Sequence, residues 1–281
     1  MNTVKRVLFQ KEGLTYALLF VLMIFFLFPV YWMVVTSVQS NSELMKLPPK
    51  WLPMEFDWSS YIVILKSSLF LTFYKNTFIV ASGATIMCIF VSIFAGYALS
   101  RFKFKGSNLI TLILLSAQMF PTVTLVIGLF SQYQKMNLLN TLFVLVLAAA
   151  STALPFSVML MRTFFNSISK ELEEAAEIDG ASRFRTLFTV IVPLSTPGIM
   201  AIAIYTFLIA WDDFLFGLTL VSDLDKRTLS PGLSLTFLGE YSYDWAGATA
   251  AAVTATLPLV IIFLFLQRYM VEGLTAGGVK E

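Results

Sequence analysis

No histidine occurs among the 281 residues, and cysteine occurs once, as Cys88. The chain therefore has no imidazole to serve as base or metal ligand, no internal disulfide and no cysteine-rich metal site. Cys88 lies in an apolar stretch, where a small buried hydrophobe is the expected role. Charge is scarce too: 19 Lys and Arg with 17 Asp and Glu make 13% of the chain, against about 25% in soluble domains. That scarcity excludes an ordinary soluble enzyme, and the 58% hydrophobic content excludes a disordered chain. A net charge of +2 is too small to point to a nucleic-acid partner. Lysine never directly follows glycine, so the Gly-x-x-x-x-Gly-Lys-Ser/Thr phosphate loop is absent and ATP cannot be bound in the usual way. No catalytic residue, metal site or cofactor is expected.

What is present is apolar: 27 Phe and a mean hydropathy of +0.81. Because a charge at mid-bilayer costs several kcal/mol, crossings are found where Asp, Glu, Lys and Arg are missing longest. Six runs stand out, 13–42, 76–100, 106–134, 136–161, 186–211 and 245–267, of 23 to 30 residues each, whereas the next, 228–239, has 12. A helical crossing needs about 20. The expected fold is an all-α integral membrane protein of six transmembrane helices in a single domain, with spans near 14–36, 77–100, 108–131, 141–161, 195–220 and 247–267. With the N-terminus placed in the cytoplasm, 12 of the 19 basic residues fall on that side. Both termini are thus expected to be cytoplasmic. The first run is too long for a secretory signal, so it is expected to be a retained helix kinked at Pro29.

Between the spans, 39–74 carries Pro48, Pro49, Pro53, Trp51 and Trp58, the signature of an ordered loop followed by a short amphipathic helix from about 58 to 71. The external loop 222–244 leads into Phe237, Tyr241, Tyr243 and Trp245, either an interfacial aromatic belt or a contact for an external binding protein. The basic turn 101–106 is most simply a topology anchor. The loop 163–192 is different, since Glu171, Glu173, Glu174, Glu177 and Asp179 are far more acid than a topogenic loop requires. Ser169 can cap a helix whose first turn holds Glu171, and Gly180 can end it in the left-handed conformation. Phe184, Leu187, Phe188 and Ile191 then make an i, i+3, i+4, i+7 apolar face on a second helix. A helix, a sharp turn and a helix are expected here.

Within that loop, Glu174, Ala175 and Ala176 precede Gly180 by the spacing Glu-Ala-Ala, three residues, Gly, and nine further residues lead to Val190, Ile191, Val192 and Pro193. This resembles the Glu-Ala-Ala loop of membrane subunits of ATP-binding-cassette importers, with Val190 and Val192 standing for Ile and Leu and Ser169 for a common Pro. Gly96, Tyr97, Ala98, Leu99, Ser100, Arg101 and Phe102, then Trp211, Asp212, Asp213 and Phe214, and the tail from Gly273 to Lys280 resemble the carbohydrate-importing permeases of the maltose type, smaller subunit. Asp212 replaces an Asn usual in that family. The likeness covers nearly the whole chain.

The resemblance implies a multi-pass subunit of the bacterial-type plasma (inner) membrane, surrounded by membrane lipid, that forms half of a translocation path for a carbohydrate. It implies a second homologous permease subunit, two ATPase subunits or one homodimer of them, and an external solute-binding protein. Hydrolysis of ATP would belong to the ATPase subunits and not to this chain. Carried over residue by residue, Glu174, Ala175, Ala176, Asp179 and Gly180 become the coupling contact with the ATPase. Trp211, Asp212 and Asp213 are candidates for the substrate path or an external gate, the acids accepting from sugar hydroxyls and Trp211 stacking on the ring. The competing reading makes them a solvated helix end. The other class of function compatible with the spans is an ion-coupled carrier acting alone. That mechanism favours paired ionisable groups near mid-membrane, and the six spans have charge-free centres. Runs of small residues at 148–151 and 246–252 fit close helix packing.

Overall fold

The computed structural model describes the backbone of residues 2–237 and 244–276, and side chains at 15–237, 244–265 and 267. All regular elements among them are helical. The chain divides into two compact units, Met1–Ser67 with Leu233–Thr256, and Ser68–Gly232 with Leu257–Glu281.

In the first unit, helix α1 (Asn2–Ser37) is continuous through Pro29. Its apolar part, Thr15–Ser37, has only 6% of its most apolar stretch buried. Such a surface is stable only against lipid or another apolar chain. Beyond it come α2 (Asn41–Leu44) and α3 (Ser59–Lys66). The loop between them is ordered, as expected: Trp51 packs edge-on against Trp32 at 5.8 Å, and Tyr31 donates to the Trp51 carbonyl at 2.5 Å. The helix expected over about 58–71 is split. α3 stops at Lys66, Ser67 is extended (ψ 114°), and Ser68 opens a new helix.

That helix, α4 (Ser68–Arg101), is the axis of the second unit and is longer than the expected 77–100. It packs on α7 (Leu142–Ser167) and α11 (Thr196–Trp211). Ala81, Ala84, Cys88, Ser92 and Gly96 recur every three or four residues on its buried face, and α7 answers with buried Ala148, Ala149, Ala150, Ala153 and Ser157. Helices gain little hydrophobic drive from meeting in lipid, so close approach of small residues supplies the packing. At Gly96 a β-carbon would lie 2.9 Å from the Met161 β-carbon and 3.0 Å from the Arg162 backbone nitrogen. No larger residue fits without moving a helix. Ser157 donates to the Ala153 carbonyl at 2.9 Å, which satisfies its hydroxyl without water.

Two expected spans are not straight. The third is α5 (Ser107–Ala117) and α6 (Thr122–Lys135), bent by 106°. Pro121 causes the break: it has no N–H, and it drives the preceding residue out of the helical region. The fifth begins at a bend of 75° between the segment Arg183–Leu194 and α11. It ends at Trp211 rather than continuing to 220, and a separate helix α12 (Leu215–Leu220) follows. By length and composition four described helices suffice to cross a membrane, or six if each bent pair is one crossing. A short turn at Leu224–Lys226 leads to α13 (Leu229–Phe237), and α14 (Trp245–Ala276) closes the described chain.

Candidate functional site

Between α7 and α11 the acidic segment folds as helix α8 (Glu171–Ile178), a turn at Gly180, helix α9 (Arg183–Thr186), a wider π-turn over Leu187–Ile191, and the short α10 (Val192–Leu194). Ser169 accepts from the Glu171 N–H at 3.2 Å, and three acids in the first turn face the positive end of the helix. Gly180 has φ +79°, in the left-handed region where a side chain is strained. The π-turn alters the expected apolar face: Leu187 and Ile191 are buried, whereas Phe184 and Phe188 stay largely exposed. Pro193 cannot donate to the Thr189 carbonyl, and the turn before it widens.

The acids of α8 divide into two groups. Glu174, Ala175, Glu177 and Asp179 are exposed and Ala176 is half-buried. Glu173 turns inward. It is ion-paired with Arg101 at the end of α4 and accepts from the Tyr97 hydroxyl at 3.1 Å. Side-chain exposure is 7% for Arg101 and 14% for Glu173. The Arg101 guanidinium also donates to the Ile168 carbonyl and to Ser100, both at 3.1 Å. Arg101, expected to be a topology anchor, is thus a buried structural partner. Its pairing with a residue 72 positions away leaves no local trace in the sequence beyond an arginine at a helix end.

A second concentration of polar groups lies along the broken third span. Two adjoining hollows of about 600 and 760 Å³ share Thr122, Thr152 and Tyr205. The first is lined further by Ser116, Gln118 and Ser151, the second by Asp212, Asp213 and Leu259. Irregular backbone at membrane depth is tolerated where it borders such a cavity. Asp213 accepts from the N–H groups of Phe216 (3.3 Å) and Gly217 (2.9 Å), capping α12. Asp212 is exposed. Trp211 does not fill the expected role of a stacking platform. It is 5% exposed, stacked on Phe207 at 5.4 Å and met edge-on by Tyr74 at 5.6 Å, so neither face is open to a sugar. Tyr205, which the sequence did not single out, lines both hollows instead. Phe237 ends α13 and is half-buried, while Tyr241 and Tyr243 lie outside the described residues. Among the described residues no cluster of three or more Cys, Asp or Glu could hold a metal.

Residues 88–275 match the family model described as the binding-protein-dependent transport system inner membrane component. The chain belongs to that family. It is 36% identical to the sulfoquinovosyl glycerol transport system permease protein SmoH of Agrobacterium fabrum, over 97% of this chain and 95% of that one. It is also 36% identical to the trehalose/maltose transport system permease protein MalG of Thermococcus litoralis, over 90% and 91%. Its fold is similar to a chain in the crystal structure of a bacterial ABC transporter involved in the import of the acidic polysaccharide alginate, with TM-score 0.80, 24% identity, and coverage of 92% and 95%. The protein is therefore a multi-pass inner-membrane permease of an ABC importer, a transport subunit and not the ATPase. Family membership sets aside the ion-coupled carrier acting alone.

Proposed function

We propose that this permease forms half of a translocation path for a carbohydrate, paired with a second homologous permease subunit, two ATPase subunits and an external sugar-binding protein. The carbohydrate reading is supported by the relatives, whose names specify sulfoquinovosyl glycerol and trehalose/maltose. In this reading the crossings number six, with α5 and α6 together as the third and α11 with the residues up to 220 as the fifth, and both termini lie in the cytoplasm with the loop 163–192. Glu174, Ala175, Ala176, Asp179 and Gly180 form the coupling contact. The observation that carries this assignment is the outward presentation of Glu174 and Asp179 on a helix ended by a left-handed glycine. Exposed acids suit basic partners, and the small side chains at Ala175 and Ala176 allow another backbone to come close.

The hollows between α5, α6, α7 and α11 are this subunit's contribution to the path. Hydroxyls of Thr122, Thr152 and Tyr205 with the Gln118 amide offer the mixed donors and acceptors that sugar hydroxyls need, and Asp212 adds a strong acceptor. Asp213 holds the turn that presents it. Phe237, with Tyr241 and Tyr243, belongs to the face that meets the binding protein.

The test is uptake by the intact transporter in vesicles, with its binding protein outside, ATP inside, and labelled maltose, trehalose and sulfoquinovosyl glycerol as probes. ATP-dependent accumulation of a carbohydrate is expected. It should vanish, together with the attached ATPase, when Glu174→Arg and Ala176→Trp are combined. Unchanged uptake in that double variant would falsify the coupling assignment.

A further inference from the structure

The coupling segment touches α4 at three successive places and the residue after it at a fourth. Phe184 and Phe188 sit against Phe94 with ring centroids 6.1 and 6.0 Å apart. Tyr97 donates to Glu173, Arg101 is ion-paired with Glu173, and the Arg183 guanidinium lies 5.5 Å over the Phe102 ring. These residues cover the last two turns of α4 and the residue after it. Ser100 also donates to the Asn166 side chain at 2.7 Å, which ties the end of α4 to the end of α7.

We propose that the Arg101–Glu173 pair, steadied by Tyr97, is the latch that passes displacement of α8 into α4. This rests on the reading of α8 as the ATPase contact, and it assigns to Arg101, Glu173 and Tyr97 a positioning role distinct from that contact. The argument is geometric. α8 buries no apolar residue, so apolar packing does not hold it to the helices. A short surface helix joined only by its flanking turns would tilt on its hinges when pushed. A buried guanidinium–carboxylate pair is directional and resists sliding, and separating it leaves an uncompensated charge on each side. The Arg101 fork reaches Glu173 through one nitrogen and the Ile168 carbonyl through another, so the arginine grips both the helix and the strand of chain that enters it. α4 in turn packs along α7 and α11 through a face of small residues, with no room at Gly96 for slack. A push on α8 therefore displaces α4 as a rod.

The test uses the whole complex in lipid nanodiscs with its binding protein, and needs no identified sugar. Cys88→Ala and Ser68→Cys place a single thiol at the exposed start of α4. Its maleimide reaction rate is compared without nucleotide and with ATP and vanadate. A change of fivefold or more is expected in this background. It should shrink below twofold in Arg101→Gln and in Glu173→Gln while the ATPase subunits stay attached. Arg101→Lys keeps the charge but not the fork, and should fall between. The exchange Arg101→Glu with Glu173→Arg should recover at least half of the change. A full nucleotide-dependent change in either neutralised variant overturns the latch. Loss of the ATPase from them overturns it as well, because the pair would then shape the docking surface rather than carry motion. An exchange no better than the single variants rejects direct pairing. Glu174→Arg with Ala176→Trp separates the two readings, since it detaches the ATPase only if α8 is the contact, whereas the latch is judged on complexes that remain assembled.

Discussion

Glu173 and Glu174 are neighbours in sequence and opposites in circumstance. The first is buried against Arg101 and Tyr97, and the second is exposed on the outer face of α8. The same contrast holds on a larger scale between the junction of α4, α7 and α8, where Gly96 meets α7 without room for a side chain and an ion pair ties α8 to α4, and the broken span α5–α6, where hollows of about 600 and 760 Å³ are lined by hydroxyls and an amide. A permease needs both. The tight region can move only as a block, and the hollow one leaves space for a solute. Residues in the tight region should therefore be costly to change in folding, whereas residues around the hollows should be costly mainly in transport.

That difference can be broken by measurement. The largest effect is expected for Glu173→Ala, which strands a buried guanidinium and should destabilise the purified protein by about 4 kcal/mol, read as thermal unfolding in detergent. A loss as small as that of Glu174→Ala would erase the distinction between the two acids. Gly96→Leu comes next, at about 3 kcal/mol, because a side chain there meets the Met161 β-carbon and the Arg162 backbone. Equal yields of folded wild type and variant from membranes would show that α4 and α7 do not approach so closely. Gly180→Ala forces a β-carbon into the left-handed region, φ +79°, and should cost about 1 to 2 kcal/mol, with a matching drop in ATPase retention. Asp213→Ala removes the acceptor for two backbone N–H groups of α12 and should cost about 1 kcal/mol. The smallest expected change is for Asp212→Ala and Glu174→Ala, within about 0.5 kcal/mol of wild type. If Asp212→Ala unfolds the protein as readily as Asp213→Ala, the two acids do not differ in the way their hydrogen bonds imply.

Much of the helical outline was legible because it rests on local chemistry. Charge-free runs longer than a bilayer is thick read as helices wherever they occur, and the acids before Ala175 with Gly180 five residues beyond specify a short helix and its end. The bend of the third span was missed because the apolar run continues unbroken through Pro121, although the proline itself was the signal. The early start of α4 is hidden in the sequence by Lys75, which ends the charge-free run, yet one lysine near a helix end is readily accommodated by extending toward water. Trp211, next to two acids, suits a sugar by its chemistry alone. Whether its faces are open depends on Phe207, one turn away, and on Tyr74, 137 positions earlier.

The sequence by itself determined the solvent, the helices, the acidic helix with its left-handed stop, and the family resemblance. Each follows from the chemistry of neighbours within a few turns. Only the tertiary structure decided which acid is buried, which is free, where the chain leaves a hollow and which aromatic ring is closed off. Those outcomes depend on partners such as Arg101 and Glu173 that are far apart along the chain and become neighbours only when α4 and α7 pack. Before that packing, Glu173 and Glu174 are chemically the same residue.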